Sequence, residues 1–230
     1  MLGLMQEWPL LCHKILDHAA IASPEREIVT RSVEGAVHRT TYPALRARAL
    51  QVAKRLDAHG IVVGDRCATL AWNTWRHIEV WYGIGGIGAV CHTINPRLFP
   101  EQIAWIVNDA ADRLLFVDLT FLPLVEKLAA SLPTIEQVIV LTDRDHMPKT
   151  SLAKAVAYED WLAEVDGDFA WTTLEENAAA GMCYTSGTTG HPKGVVYSHR
   201  SNVLHAMMVM APDMMNIAAR DVVMPVVPDV

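Results

Sequence analysis

Apolar residues recur along this chain at two spacings, helical and alternating, and the spacing switches many times. From Trp8 to about Ala22, Leu11, Ile15, His18 and Ala19 fall on one helical face and predict an amphipathic helix. The run EIVTRSVEGAVHRTTY reads as a hairpin, two β-rich stretches around Glu34-Gly35. A helix follows from Pro43 to about His59 and is stopped by Gly60. Its apolar stripe is Leu45, Ala49, Val52, Ala53 and Leu56, opposite which Arg46, Arg48, Lys54 and Arg55 are expected to form a solvated face.

Beyond this helix the pattern becomes regular. Arg66 to Trp72 reads as a buried strand, and Asn73 or Thr74 is placed to cap a helix from Trp75 to about Gly88. AVCHTIN is a strand ended by Asn95-Pro96, and PEQIAWIVNDA is a helix with Pro100 in its first turn. RLLFVD, FLPLVEKLAASL and QVIVLT then read as strand, helix and strand. Short apolar strands separated by helices indicate βαβ units, so the fold class expected is α/β with a largely parallel sheet. From Asp143 to Ala180 charges and Pro148 break the pattern, with one short helix near Tyr158–Glu164. This reads as a surface excursion between a first subdomain, residues 1–175, and the start of a second, residues 176–230.

Composition narrows the function classes. The 230 residues are 51% hydrophobic and 20% charged, which argues for a packed core and against disorder. A formal charge of −7 gives no footprint for nucleic acid or an anionic membrane. Cys12, Cys67, Cys91 and Cys183 are widely spaced, three of them in apolar runs, as expected of reduced core thiols in a cytoplasmic protein. The N-terminus has an early Glu7 and no basic segment ahead of its short apolar run, so neither a signal peptide nor a membrane span is expected.

Three motifs need testing against their chemistry. GIGGIG, Gly83 to Gly88, matches GxGxxG, but a dinucleotide fingerprint follows a strand and opens a helix. Here it closes a helix, so the glycines are expected to let that helix pack closely on the sheet. His13 with His18, and His199 with His205, do not share a helix face, which argues against metal binding through histidine. Cys183 has no basic neighbour in sequence to activate it and reads as a buried thiol.

The stretch MCYTSGTTGHPKGVVYSH, Met182 to His199, differs in kind. Glycines allow positive φ and close backbone approach, hydroxyls add donors, and one lysine adds a compact positive charge. Together they can wrap a polyphosphate. Pro192 precedes Lys193 and Gly194 follows it, so this is not the GxxxxGK[ST] loop. VVYSH continues as strand, and a loop between two antiparallel strands fits better than a bare hairpin turn.

YTSGTTGHPKGV, Tyr184–Val195, resembles the phosphate-binding signature of the adenylate-forming superfamily: acyl-CoA synthetases, peptide-synthetase adenylation domains and firefly-type luciferases. DRCATLAWNTWRHIEVWYG, VCHTINPRLFPEQIAWIVNDA and VVYSHRSNVLHA are similar to the medium- and long-chain fatty-acyl-CoA ligase branch. The resemblance implies a two-step reaction. A carboxylate attacks the α-phosphate of Mg·ATP, giving an acyl-adenylate and pyrophosphate, and the thiol of coenzyme A then displaces AMP. It assigns the β- and γ-phosphates to Thr185, Ser186, Gly187, Thr188, Thr189 and Gly190, with Lys193 as the cationic contact and Thr185 also a ligand to Mg. His199 receives no chemistry.

The resemblance also implies that segments are missing. In the family, the adenine site, the acidic ribose ligand, the magnesium glutamate and a C-terminal domain with its adenylation lysine lie downstream of this region. The chain is therefore expected to be an N-terminal portion, inactive alone, with no complete catalytic set. Two alternatives stay open: an enzyme adenylating aryl or amino acids, and a non-catalytic nucleotide-binding or assembly module. The terminal run DVVMPVVP reads as an exposed edge and leaves pairing with a second copy open.

Overall fold

A seven-stranded sheet grows in both directions from one strand, β3 (Arg66–Leu70), placed there by its apolar run Cys67-Ala68-Thr69-Leu70. The computed structural model describes residues 1, 3–5, 7–185 and 191–225. Ahead of β3 come α1 (His13–Ala22), a hairpin of β1 (Glu27–Arg31) and β2 (Val37–Thr41), and α2 (Tyr42–Ala58). After it come α3 (Trp75–Gly86), β4 (Val90–Thr93), α4 (Pro100–Asp109), β5 (Leu114–Val117), α5 (Leu122–Leu128) and β6 (Gln137–Val140). The remainder is β7 (Ala155–Ala157), α6 (Tyr158–Leu162), β8 (Ala179–Thr185), β9 (Lys193–Ser198) and α7 (His199–Met210).

The strand order is β7-β6-β5-β3-β4-β8-β9, and every neighbouring pair is parallel except the antiparallel β8–β9. The expected α/β architecture with a largely parallel sheet is what forms. Residues on either side of the expected boundary at 175 share this one sheet, because β8 hydrogen-bonds to β4 with Cys91 opposite Gly181 and His92 opposite Met182.

Alternation along the strands builds two cores. Cys67, Leu114, Phe116 and Ile139 face α2, α3 and α6, while Ala68, Leu70, Leu115 and Val138 face α4 and α5. Strands buried on both faces read as continuous apolar runs, which is why the sequence marked them clearly. Each such large side chain contributes about 1.5–3 kcal/mol on burial.

Several expectations are corrected. The first helix begins at His13, because the preceding chain is tied elsewhere: Leu10 N–H donates to Glu176 and Cys12 N–H to His199. It turns Cys12, His13 and Leu16 inward, and Ile15 and His18 face solvent. The basic face of α2 is not simply solvated. Arg48 pairs with Glu79 and Glu159, Arg46 with Asp17, Lys54 with Asp166 and Arg55 with Glu164. The glycines of GIGGIG do not pack on the sheet: Gly83 lies against α2 and Gly86 against the ring of Trp171. Between Asp143 and Ala180 the chain also adds the short edge strand β7.

Candidate functional site

The end of β8 and the start of β9 bring two of the sequence-derived site residues face to face. The antiparallel register sets Tyr184 opposite Gly194 and Thr185 opposite Lys193. Directly paired positions in such a ladder put Cα atoms about 4.5–5.5 Å apart. Thr185 and Lys193 are both exposed, and Lys193 makes no ion pair among the described residues. Ser186, Gly187, Thr188, Thr189 and Gly190, which complete the expected phosphate contacts, lie outside the described residues.

β9 passes directly into α7, whose first turn is capped by Ser198 Oγ accepting the Ser201 N–H at 3.0 Å. His199, at this junction, is buried, and its Nδ1 accepts the Cys12 N–H at 3.3 Å. Burial lowers its pKa, which favours the neutral ring that accepts this hydrogen bond.

The side chains around the strand ends come from distant parts of the chain. Tyr184 donates its hydroxyl to Asp109 Oδ2 at 2.7 Å, and burial followed by this carboxylate pushes the phenol pKa upward. The Trp105 ring is stacked on His191 at 4.6 Å and 6°, and stands edge-on to Tyr184 at 6.1 Å. The His92 ring lies 5.1 Å from that of Tyr184, tilted at 47°, and shares a fully buried hydrogen bond, 2.6 Å, with Asp112. Burial raises the Asp112 pKa. Sequence reasoning missed Trp105, Asp109 and His92. They lie on α4 and β4, some 75 residues or more before Tyr184, and no local spacing marks them.

On the other face of β4 and β8, a cleft of about 560 Å³ lies between α3 and α7. His77, Trp81, Thr93, Cys183, Tyr197 and His205 are among its walls. His77 is neutral there: burial pushes its pKa down to about 4, and its Nε2 shares a 3.1 Å hydrogen bond with Thr69 Oγ1. Cys183 is half-buried at this cleft, a correction to the buried thiol expected from sequence.

Among the described residues no group of three or more His, Cys, Asp or Glu side chains could hold a metal ion, and no helix is long and apolar enough to cross a membrane. Thr185 does present a neutral hard oxygen beside an exposed ammonium. That donor suits a magnesium ion whose remaining ligands are phosphate oxygens and water.

Comparison with known proteins gives a consistent picture. The family profile described as AMP-binding enzyme matches residues 16–229. A medium-chain-fatty-acid–CoA ligase of Ectopseudomonas oleovorans is 43% identical over 99% of this chain and 42% of its own length. A 3-methylmercaptopropionyl-CoA ligase of Ruegeria pomeroyi is 46% identical over the same shares. The chain thus spans about two-fifths of the length of these curated relatives. Among solved structures, the anthranilate CoA ligase AuaEII in complex with anthranoyl-AMP superposes with a TM-score of 0.77 at 24% identity, over 89% of this chain and 37% of that one. That likeness is one of fold.

Proposed function

This chain belongs to the AMP-binding enzyme family, and we propose that it supplies the phosphate grip of an ATP-dependent fatty-acid–CoA ligase. The observation that carries the reading is the Thr185–Lys193 pair. A hydroxyl and an exposed ammonium face each other where β8 and β9 leave the run Ser186–Gly190 between them.

The reaction proposed has two steps. A carboxylate oxygen attacks the α-phosphorus of ATP, the bond to the bridging oxygen breaks, and pyrophosphate leaves with the electron pair. The thiol of coenzyme A, losing its proton, then attacks the acyl carbon of the adenylate and AMP departs. In the first step negative charge accumulates on the β- and γ-phosphates, so catalysis there is chiefly positioning and charge neutralisation. Lys193 would pair with those oxygens as a point charge, while the hydroxyls and amides of Thr185 to Gly190 would donate to them. A bound magnesium ion, with Thr185 Oγ1 among its ligands, would supply further charge neutralisation on the same oxygens.

Relatives named for a medium-chain fatty acid and for 3-methylmercaptopropionate match this chain almost equally well. Acyl choice is therefore assigned to residues other than the grip, and a cytoplasmic setting, consistent with four cysteines outside any disulfide, completes the reading.

The test measures carboxylate-dependent pyrophosphate release. It uses the 230-residue chain and a chimera in which this chain replaces the matching two-fifths of the 43%-identical ligase. The chimera is expected to release pyrophosphate only with ATP and a fatty acid, and to form acyl-CoA when coenzyme A is added. The chain alone is expected to bind Mg·ATP without turnover. Release with aryl or amino acids in place of fatty acids would move the assignment to those substrates. A folded chimera that binds Mg·ATP but turns over none of them would leave a nucleotide-binding module.

A further inference from the structure

We propose that Trp105 and Asp109 are positioning residues for the phosphate grip, holding both of its strand ends from a single helix. The inference rests on the phosphate-grip reading and adds the machinery that sets its geometry. Trp105 and Asp109 are four residues apart on α4, hence on one helical face. The opposite face buries Ile103, Ile106 and Val107 in the core with Leu70, Leu115 and Val117, and the half-buried Trp105 packs against the margin of that same core.

From that fixed post the two side chains reach both ends of the grip. Asp109 accepts the Tyr184 hydroxyl at 2.7 Å, one residue before Thr185. Trp105 is stacked flat on His191, two residues before Lys193, and stands edge-on to Tyr184. The Tyr184 ring is closed in by Gly194, where a Cβ would come within 3.3 Å of Cζ, and by His92, itself held by Asp112. One indole thus touches a residue on each side of the Ser186–Gly190 run. The β8–β9 ladder pairs Thr185 with Lys193, and the indole braces the chain beside each of them, at Tyr184 and His191, before any phosphate arrives. A grip whose ends are already placed loses less conformational freedom on binding, which appears as affinity.

The test titrates the 230-residue chain with inorganic tripolyphosphate in the presence of magnesium by calorimetry. The variants are Trp105→Leu, Trp105→Phe, Asp109→Asn, His191→Ala, and the Trp105→Leu/His191→Ala pair. Trp105→Leu and His191→Ala are each expected to weaken binding ~10-fold. Trp105→Phe, which keeps a stacking ring, stays within ~3-fold of the parent, and the melting temperature of His191→Ala stays close to it. The double variant should bind about as weakly as either single one, because both remove the same stack. His191→Ala alters an exposed ring and leaves the core intact, so it carries the test even if Trp105→Leu fails to fold. Binding unchanged in His191→Ala, or effects that simply add in the double variant, would overturn the positioning role while leaving the grip. A parent chain that does not bind tripolyphosphate at all removes the grip reading, and this inference with it.

Discussion

Gly83 of α3 packs directly against Val52 of α2: a Cβ on Gly83 would stand 2.5 Å from Val52 Cγ1 and 3.0 Å from the Ala49 carbonyl oxygen. Two helices on the same sheet face are thereby brought into backbone contact. Gly83→Ala should force them apart and cost about 1–3 kcal/mol despite the better helix propensity of alanine. A Cβ on Gly85, on the same helix, would meet only the His199 ring, at 3.7 Å, among the described residues. Gly85→Ala should therefore be neutral or stabilising by up to about 1 kcal/mol. Urea denaturation of the two variants checks the contrast, and equal effects would count against the close approach.

The α2–α3 contact also encloses a charge. Glu79 is fully buried, accepts Arg48 at 2.7 Å and the Tyr158 hydroxyl at 2.8 Å, and burial raises its pKa in spite of both partners. Arg48→Met leaves this carboxylate with the phenol alone. The expected loss is about 3 kcal/mol, the low end for breaking a buried pair because Tyr158 remains. Adding Glu79→Leu to Arg48→Met should recover much of that loss. Chemical denaturation at neutral pH measures both, and an unrecovered double variant would show that the charge is not the cause.

Asp118 carries the pH-dependence. Its carboxylate accepts the Trp72 N–H at 2.6 Å at the end of β5, and burial, more than the nearby Glu34, pushes its pKa up to about 7. A folded-state pKa above the unfolded 3.8 means the proton favours the folded state. The stabilisation is present below about pH 4 and is lost as pH rises through about 7. Asp118→Asn keeps an acceptor for Trp72 and removes the titration. The stability of the parent relative to this variant should fall by roughly 3–4 kcal/mol between pH 4 and pH 8. A difference that stays flat across that window would refute the assignment. Taking it as a difference cancels His13 and His77, both pushed down to about 4 by burial, which act in the opposite sense.

Much of this architecture could be read from residue order, for identifiable reasons. β3, β5 and β6 are buried on both faces and so appear as unbroken apolar runs. The helix starts at Pro43, Thr74 and Pro100 carry local signals, and Thr74 Oγ1 does accept the His77 N–H. The phase of α1 was misread because Leu11 lies before the helix and Ile15 is left outside. The pairing of Arg48 on α2 carries no local signal because its partners, Glu79 and Glu159, lie 31 and 111 residues away. At the candidate site the asymmetry is the same. The composition of 185–193 is a local signal, whereas Trp105 and Asp109 reach Tyr184 only because α4 crosses over β3 to the face on which Met182 and Tyr184 project.

Lys193 is the sharpest test of the chemistry. It is an exposed ammonium opposite Thr185, with no carboxylate paired to it among the described residues. On the proposed phosphate grip, Lys193→Ala would remove one electrostatic contact to the leaving pyrophosphate. In the chimeric ligase kcat/KM for ATP should fall by an amount equivalent to about 2–4 kcal/mol. Lys193→Arg keeps the charge but replaces a compact ammonium with a wider planar fork, and should restore only part of the loss. Because the side chain is exposed, neither variant should shift the melting temperature by more than a degree or two, a change of ~0.5 kcal/mol or less. A Lys193→Ala enzyme with unaltered kcat/KM for ATP would show that the pyrophosphate is held by other groups.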